Sequence, residues 1–316
     1  MFTRQNCFGA TSPHEPSDDA DAHMTTHPPD SSADHAADEP VLGPVPHTRF
    51  RVDWVTSTGS TNDDLLVRAR DGAGEGEVLV TDFQTAGRGR LDRRWEAPER
   101  SSLLMSILLR PGAAVPPDHV HLCTKAVALA AAEACDQALG GHSGIGLKWP
   151  NDLIVTRSDG SVRKLGGVLA ESMVDGGQIV GVVVGLGLNV TWPRAMPADL
   201  AEVAIALNHL LGHGTDGADN EPKPVISRGR LLLALLTTLE GLYSSLLDDG
   251  GQHLLRRYRS ECVTIGRSVR VEHAVGDLLG VAIGIDDAGH LIVRDPAGEE
   301  HHVAVGDVVH VRNVAT

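Results

Sequence analysis

Ile179-Val180-Gly181-Val182-Val183-Val184-Gly185-Leu186-Gly187-Leu188-Asn189-Val190 is the stretch from which the fold can be read. As a helix it would span roughly 18 Å, well short of a bilayer, and its glycines argue against a helix interior. Its β-branched content fits a strand buried on both faces. Glycine weakens a strand, so its recurrence here points to a ligand or another backbone pressing against the run, or to a bulge. Asn189, at the end, is a candidate for hydrogen-bonding a ribose or a base.

Outward from this run the same chemistry repeats. Towards the N-terminus, residues 165–173, 153–156, 146–149, 102–109, 77–84 and 49–55 read as strands. Helical patterns fall at 64–70, behind the N-cap residues Ser60-Thr61-Asn62-Asp63, and at 118–139, which is alanine-rich. After the run, helices are expected at 199–211, 225–247 and 253–261, with a polar surface loop at 212–224. From Gly266 short alternating segments at 268–271, 278–285, 291–294, 301–305 and 308–312 are separated by Asp286-Asp287-Ala288-Gly289 and Asp295-Pro296-Ala297-Gly298. That spacing predicts a small antiparallel barrel of about 50 residues. The fold class is α+β: a mixed β-sheet with flanking helices, then a small all-β domain. The expected division is a disordered acidic tail at 1–46, a main domain at 47–264 and the β domain at 265–316.

Composition narrows the function. The chain of 316 residues is 41% hydrophobic and 22% charged, with a net charge of −15. Residues 1–40 hold eight acidic residues against Arg4 and contribute −7 of that total. No basic footprint for nucleic acid is present, and no membrane partner is expected. The tail is too poor in apolar residues to offset its ordering entropy, and its histidines (His14, His23, His27, His35) are irregularly spaced. Cys7, Cys123, Cys135 and Cys262 form no CxxC pair. Reduced thiols and a cytoplasmic location are therefore expected, and no residue is assigned to a metal. The start lacks the basic-then-apolar pattern of a secretory signal.

Four short segments carry chemistry. Gly87-Arg88-Gly89-Arg90-Leu91-Asp92-Arg93-Arg94-Trp95 sets four arginines in a glycine loop, suited to holding phosphates through forked hydrogen bonds and exposed backbone N–H groups. Lys148-Trp149-Pro150-Asn151-Asp152 must turn, and Lys164-Leu165-Gly166-Gly167 brings an ammonium beside backbone that a ligand can approach closely. Such a lysine suits a carboxylate and a phosphate. Gly59-Ser60-Thr61-Asn62 caps a helix and can also offer hydrogen bonds to a small polar ring. The fourth is Gly185-Leu186-Gly187-Leu188-Asn189. Alone, each has a structural explanation: a solvated turn, a cap or a bulge.

Together, and in this order, Gly-Ser-Thr-Asn, Gln84-Thr85-Ala86-Gly87-Arg88-Gly89-Arg90, Lys-Trp-Pro-Asn-Asp, Lys-Leu-Gly-Gly and Gly-Leu-Gly-Leu-Asn resemble the biotin–protein ligase family. The resemblance covers about residues 49–312. It implies a catalytic domain like that of class II synthetases and biotin/lipoyl ligases, followed by an SH3-like barrel. It also implies ATP-driven formation of biotinyl-adenylate, then transfer of biotin to a lysine of a biotin carboxyl carrier domain. Biotin and ATP are the implied substrates, with magnesium accompanying ATP. Ser60, Thr61, Asn62, Gln84, Gly87, Arg88, Gly89, Arg90 and Lys164 match biotin-pocket positions. Arg88, Arg90, Arg93, Trp95, Lys148, Asn151, Lys164 and Asn189 match adenylate positions, and Lys164 and Arg90 carry the implied catalytic roles. The loop at 85–100 is expected to close over the intermediate and exclude water.

Two departures stand out. Asp92 replaces a glycine in the arginine loop, and Gly166 replaces the alanine of the usual Lys-Leu-Ala-Gly. The family includes monomers and edge-to-edge homodimers, so either is open. Residues 1–46 show no two-helix pattern, so a transcriptional regulator is not expected. The competing readings are a lipoate or octanoate ligase relative, whose Arg-Arg-x-Ser-Gly-Gly-Gly pocket is absent, and a non-catalytic biotin-binding protein.

Overall fold

The computed structural model describes residues 39–91, 93–141, 144–193, 196–211, 225–272, 276–304 and 306–310. The tail at 1–38, the loop at 212–224 and Asp92 lie outside the described residues. Eight strands form the main sheet: β1 (Gly43–Pro44), β2 (Arg51–Thr58), β3 (Glu77–Gln84), β4 (Ser102–Leu109), β5 (Ile145–Lys148), β6 (Asp152–Thr156), β7 (Val162–Asp175) and β8 (Gln178–Asn189). Their order is β1-β2-β3-β4-β8-β7-β6-β5. Only β2 and β3 run parallel, so the sheet is mixed as expected. The glycine-interrupted apolar run is β8, between β4 and β7, with Val182, Val183 and Val184 fully buried.

The parallel pair follows from a crossover helix, α1 (Thr61–Arg70). The Ser60 hydroxyl accepts from the Asp63 N–H at its start, and acidic then basic residues complement the helix dipole at its two ends. Leu65, Leu66 and Ala69 bury α1 against Leu108, Met173 and Val183. The other face carries α2 (Leu122–Ala138), α4 (Arg228–Asp249) and α5 (Gln252–Glu261), with the short α3 (Ala198–Val203) beside β7. The buried alanines of α2 let α4 pack closely, at the cost of little side-chain entropy. By length and composition α4 would suit a membrane span. Here Leu231, Leu232, Leu235, Leu236 and Leu239 are instead in the core.

Two helices differ from expectation. The helix read at 118–139 begins at Leu122, behind a 3-10 turn at Pro117–His119. The one read at 199–211 breaks into α3 and a 3-10 turn at Leu207–His209. Between them Ala204 is extended and Ile205 donates its N–H to the Lys164 carbonyl, 2.9 Å away. The segment satisfies its backbone against β7 rather than within a helix.

The C-terminal part has β9 (Ser268–Glu272), β10 (Leu278–Ile285), β11 (Leu291–Arg294), β12 (Glu300–Val303) and β13 (Asp307–His310). They form one antiparallel sheet ordered β12-β11-β10-β9-β13. The pairings among described residues do not join β12 to β13, so the finding is a five-stranded sheet rather than a closed barrel.

This sheet is sealed against the main domain. Trp149, 1% exposed, donates from Nε1 to the Gly289 carbonyl (3.2 Å) and from its backbone N–H to Thr264 Oγ1 (3.1 Å). Gly289 sits in a left-handed turn (φ +80°) above His121 and Lys125, where a Cβ would come within 2.7 Å of His121 Nε2. Lys125 is buried with its ammonium 5.4 Å from the Tyr258 ring centre, and burial lowers its pKa to about 7. Burial, then the nearby Lys125 charge, lowers that of His121 to about 4.

Between about 7 and 10.5 the unfolded chain therefore holds more protons at Lys125, and stability rises with pH across that window. Lys125→Met is expected to stabilise the fold at pH 7 by about 1–3 kcal/mol, since an apolar side chain replaces a poorly compensated buried charge. The gain should shrink as pH rises towards 10.5. Chemical denaturation at pH 7 and pH 9.5 checks it; no gain at either pH would refute it.

Candidate active site

The β-sheet and the arginine loop enclose a cleft whose lining includes Ser60, Thr61, Asn62, Gln84, Arg88, Gly89, Arg90, Arg93, Trp95, Asn151 and Lys164. Eleven of the fourteen residues singled out from the sequence thus converge. The other three do not line it. Gly87, at the start of the loop, lines the neighbouring apolar cleft instead, and a Cβ there would collide with the Trp95 carbonyl. Lys148 faces a neighbouring cavity shared by β6 and the C-terminal sheet. Asn189 is 2% exposed and donates from Nδ2 to the Ile205 carbonyl (3.0 Å), anchoring the extended segment beside β7.

The closed end of the cleft is polar. Gln84 Oε1 accepts from the Thr61 N–H (2.9 Å) and lies 3.1 Å from Thr61 Oγ1. Asn62 Nδ2 donates to Glu171 Oε2 (2.8 Å), while Asn62 Oδ1 lies 2.6 Å from the Ser106 hydroxyl. Asn62 fits because position 185 has no side chain: a Cβ on Gly185 would overlap its amide. In the same strand, a Cβ on Gly187 would overlap the Trp95 indole. Gly185 and Gly187 are therefore explained by side chains of the site itself, whereas Gly181, outside the site, makes room for Met173.

At the open end, Lys164 Nζ lies 2.7 Å from Asp152 Oδ1 and 5.6 Å from the Trp95 ring centre, and its side chain is 40% exposed. Lys148 approaches the same carboxylate at 3.9 Å. Arg90 donates from Nη1 to Asn151 Oδ1 (3.3 Å) and from Nη2 to the Gly306 carbonyl (3.1 Å). Burial pulls its pKa below the usual guanidinium value. Arg93 pairs with Asp307 of β13 (2.5 Å), and Arg88 with Asp63 (2.5 Å) and Glu171 (2.6 Å). The loop is held by α1, β7 and the C-terminal sheet, and a bridge between Arg88 and Arg94 closes it on itself.

Sequence reasoning missed Asp152, Glu171, Ser106 and Asp307. Asp152 stood inside a quoted motif, but nothing local marks a carboxylate as the partner of a lysine twelve residues on. Ser106 and Asp307 come from β4 and β13, which carry none of the quoted motifs, and Glu171 from β7 four residues past its Lys164-Leu165-Gly166-Gly167. The Gly166 departure is tight: a Cβ there would sit 2.9 Å from the Gly187 carbonyl and 3.1 Å from Leu188 Cδ1.

Fold and cleft can be set beside known proteins. Residues 54–189 match the model of the Biotin/lipoate A/B protein ligase family, and residues 264–311 that of the Biotin protein ligase C terminal domain. The chain is 36% identical over 266 residues to the biotin–[acetyl-CoA-carboxylase] ligase of Mycobacterium tuberculosis, covering 83% of this chain and 90% of that one. It is 30% identical over 247 residues to the bifunctional ligase/repressor BirA of Bacillus subtilis, covering 78% and 69%. The biotin protein ligase of Aquifex aeolicus, solved in complex with biotin and ATP, superposes with a TM-score of 0.65 at 23% identity, over 82% of this chain and 99% of that one. That likeness is one of fold. The fold and cleft define an enzyme of the biotin/lipoate protein ligase class. Within it, this chain belongs to the biotin–protein ligase family.

Proposed function

We propose that the protein joins biotin to ATP as biotinyl-adenylate and then passes the biotinyl group to a lysine of a biotin carboxyl carrier domain. The observation that carries this reading is the place of Lys164. It stands between the polar closed end, lined by Thr61 and Gln84, and the Trp95 indole. A bicyclic ureido head fits the polar end, and its valerate chain directs the carboxylate towards Lys164. One carboxylate oxygen then attacks the α-phosphorus, and the bond to pyrophosphate breaks. Charge grows on the phosphoryl oxygens beside the Lys164 ammonium and the Arg90 guanidinium, where preorganised donors stabilise it. In the second step a neutral lysine amine attacks the acyl carbon and AMP leaves.

The adenylate end has its own support. Beyond Trp95 an apolar cleft is lined by Trp95, Trp192, Pro193, Met196 and Leu200, a surface suited to a purine. Asn151, bonded to Arg90 and through Nδ2 to the Val168 carbonyl (2.7 Å), fixes the edge between the two regions. In this reading Lys148 acts through Asp152, and Asn189 and Gly87 act through the backbone they hold. Magnesium arrives with the triphosphate and takes hard oxygen ligands. Asp152 and Asp307, now paired with Lys164 and Arg93, are the cleft carboxylates that would hold it, and the ion would supply further charge neutralisation. A reducing, cytoplasmic setting suits the buried free thiols of Cys123, Cys135 and Cys262, whose pKa values burial raises.

The test is pyrophosphate release from magnesium-ATP with biotin, lipoate and octanoate in parallel, followed by transfer to a carrier domain. Release with biotin and biotinylation of the carrier supports the proposal. Release only with lipoate or octanoate would keep the adenylating chemistry and replace the substrate. Biotin binding with no release from any acid would favour a binding protein.

A further inference from the structure

We infer that Glu171 is a positioning residue that sets which atoms of the closed end donate and which accept, and so selects the ureido ring; this rests on the biotin reading above. Glu171 lies on β7, four residues past the Lys164-Leu165-Gly166-Gly167 motif, and its Oε2 accepts from both Asn62 Nδ2 (2.8 Å) and Arg88 Nη2 (2.6 Å). A carboxylate only accepts, so it fixes the orientation of the Asn62 amide. The remaining Asn62 amide hydrogen points to the Leu169 carbonyl at 3.4 Å. Both hydrogens are thus spent within the protein.

The consequence passes along a chain of hydroxyls. Asn62 Oδ1 faces the buried Ser106 hydroxyl at 2.6 Å and must receive its single hydrogen. Ser106 Oγ is then an acceptor towards Thr61 Oγ1, 2.7 Å away. Thr61 spends its own hydrogen on Ser106 Oγ or on Gln84 Oε1, so it shows the cleft only lone pairs. Gln84 Oε1 is occupied by the Thr61 N–H, which leaves its Nε2 as the donor. A ureido ring has two N–H donors and one carbonyl acceptor, the complement of that pattern. Without Glu171 only the long contact to the Leu169 carbonyl, 3.4 Å, still favours this orientation of the Asn62 amide, and the amide can turn over. Ser106 would then receive a hydrogen from Nδ2 and donate its own to Thr61, so the Thr61 hydrogen could no longer go to Ser106 and would be shared between Gln84 Oε1 and the cleft. Thr61 would then offer the cleft a hydrogen as well as lone pairs, a change at a place Glu171 does not touch.

The same carboxylate also ties the arginine loop to this floor through Arg88, with Asp63 as a second anchor. Ligand selection and loop position therefore share one carboxylate.

The test uses the full chain with biotin and with 2-iminobiotin, whose ring carbonyl is replaced by an imine. Glu171→Ala is expected to raise the KM for biotin about 10- to 100-fold, the loss of a hydrogen-bonded charged partner. The preference for biotin over 2-iminobiotin should fall with it. Glu171→Gln retains an acceptor oxygen in the same place and should recover most of that preference. Ser106→Ala breaks the chain one link further on and should lose the preference with Glu171 intact; it also serves if Glu171→Ala does not fold. An unchanged preference in folded Glu171→Ala or in Ser106→Ala would overturn the inference. A wild-type protein that does not bind biotin would overturn the biotin reading itself, a result separable because it precedes any variant.

Discussion

Lys164→Ala is expected to fold normally yet release pyrophosphate with biotin about 10²- to 10³-fold more slowly than the parent, the usual cost of losing one preorganised donor at a developing charge. The side chain can be removed with little structural penalty. The side chain is 40% exposed and its backbone is held independently, through the Ile205 N–H on its carbonyl and its register with Ile154 on β6. Removal leaves Asp152 with Lys148 at 3.9 Å and the Arg90 guanidinium farther off. The phosphate region then gains net negative charge as well as losing a donor. Lys164→Arg keeps the charge but carries a longer, planar head that competes for Trp95, so only partial recovery is expected. Binding of preformed biotinyl-adenylate, measured by calorimetry, should weaken in parallel with the rate. Near-parental pyrophosphate release by folded Lys164→Ala would remove the central assignment.

The second large effect separates the two ends of the cleft. Gly185→Ala and Gly187→Ala each add one methyl to β8, two residues apart on one face of the strand. At 185 the methyl would overlap the Asn62 amide; at 187 it would overlap the Trp95 indole. Overpacking of this kind costs about 1–3 kcal/mol, so each ligand-side KM should rise roughly 10- to 100-fold. The expected result is a crossed pattern: Gly185→Ala raises the KM for biotin and spares that for ATP, while Gly187→Ala does the reverse. Steady-state kinetics with each substrate varied in turn reads it directly. Equal effects of both variants on both substrates would show that the strand, rather than the particular neighbour, had been disturbed.

Much of this arrangement was legible before the structure. The strand character of β8, the cap on α1, and the meeting of the arginine loop with Lys164 follow from glycine placement, capping chemistry and motif order. These signals are local, or repeated in one order along the chain. Failures came where tertiary contacts outweighed local preference. The helical pattern at 199–211 was interrupted because Ile205 finds its acceptor on β7. Gly185 and Gly187 of β8 invited a ligand or backbone neighbour, and the side chains beside them are those of Asn62 and Trp95. Glu171 and Asp307 were invisible because a carboxylate in a strand has no local signature; its meaning lies in the arginine it meets, 83 residues away in the case of Glu171 and Arg88.

The joint between the two parts of the chain bears on how this enzyme can change over evolutionary time. Arg90 leans on Gly306, Arg93 pairs with Asp307, and Trp149 is pinned by Gly289. The small sheet therefore supplies part of the wall that holds the reactive loop. It is not a cassette that recombination can exchange freely. A graft from a distant relative would bring a new residue opposite Arg93 and a new turn over Trp149, altering the loop without touching any substrate contact. Drift in the two parts must stay matched at these few places, and viable chimaeras should be those whose donor carries an acidic residue and a glycine at the positions of Asp307 and Gly289.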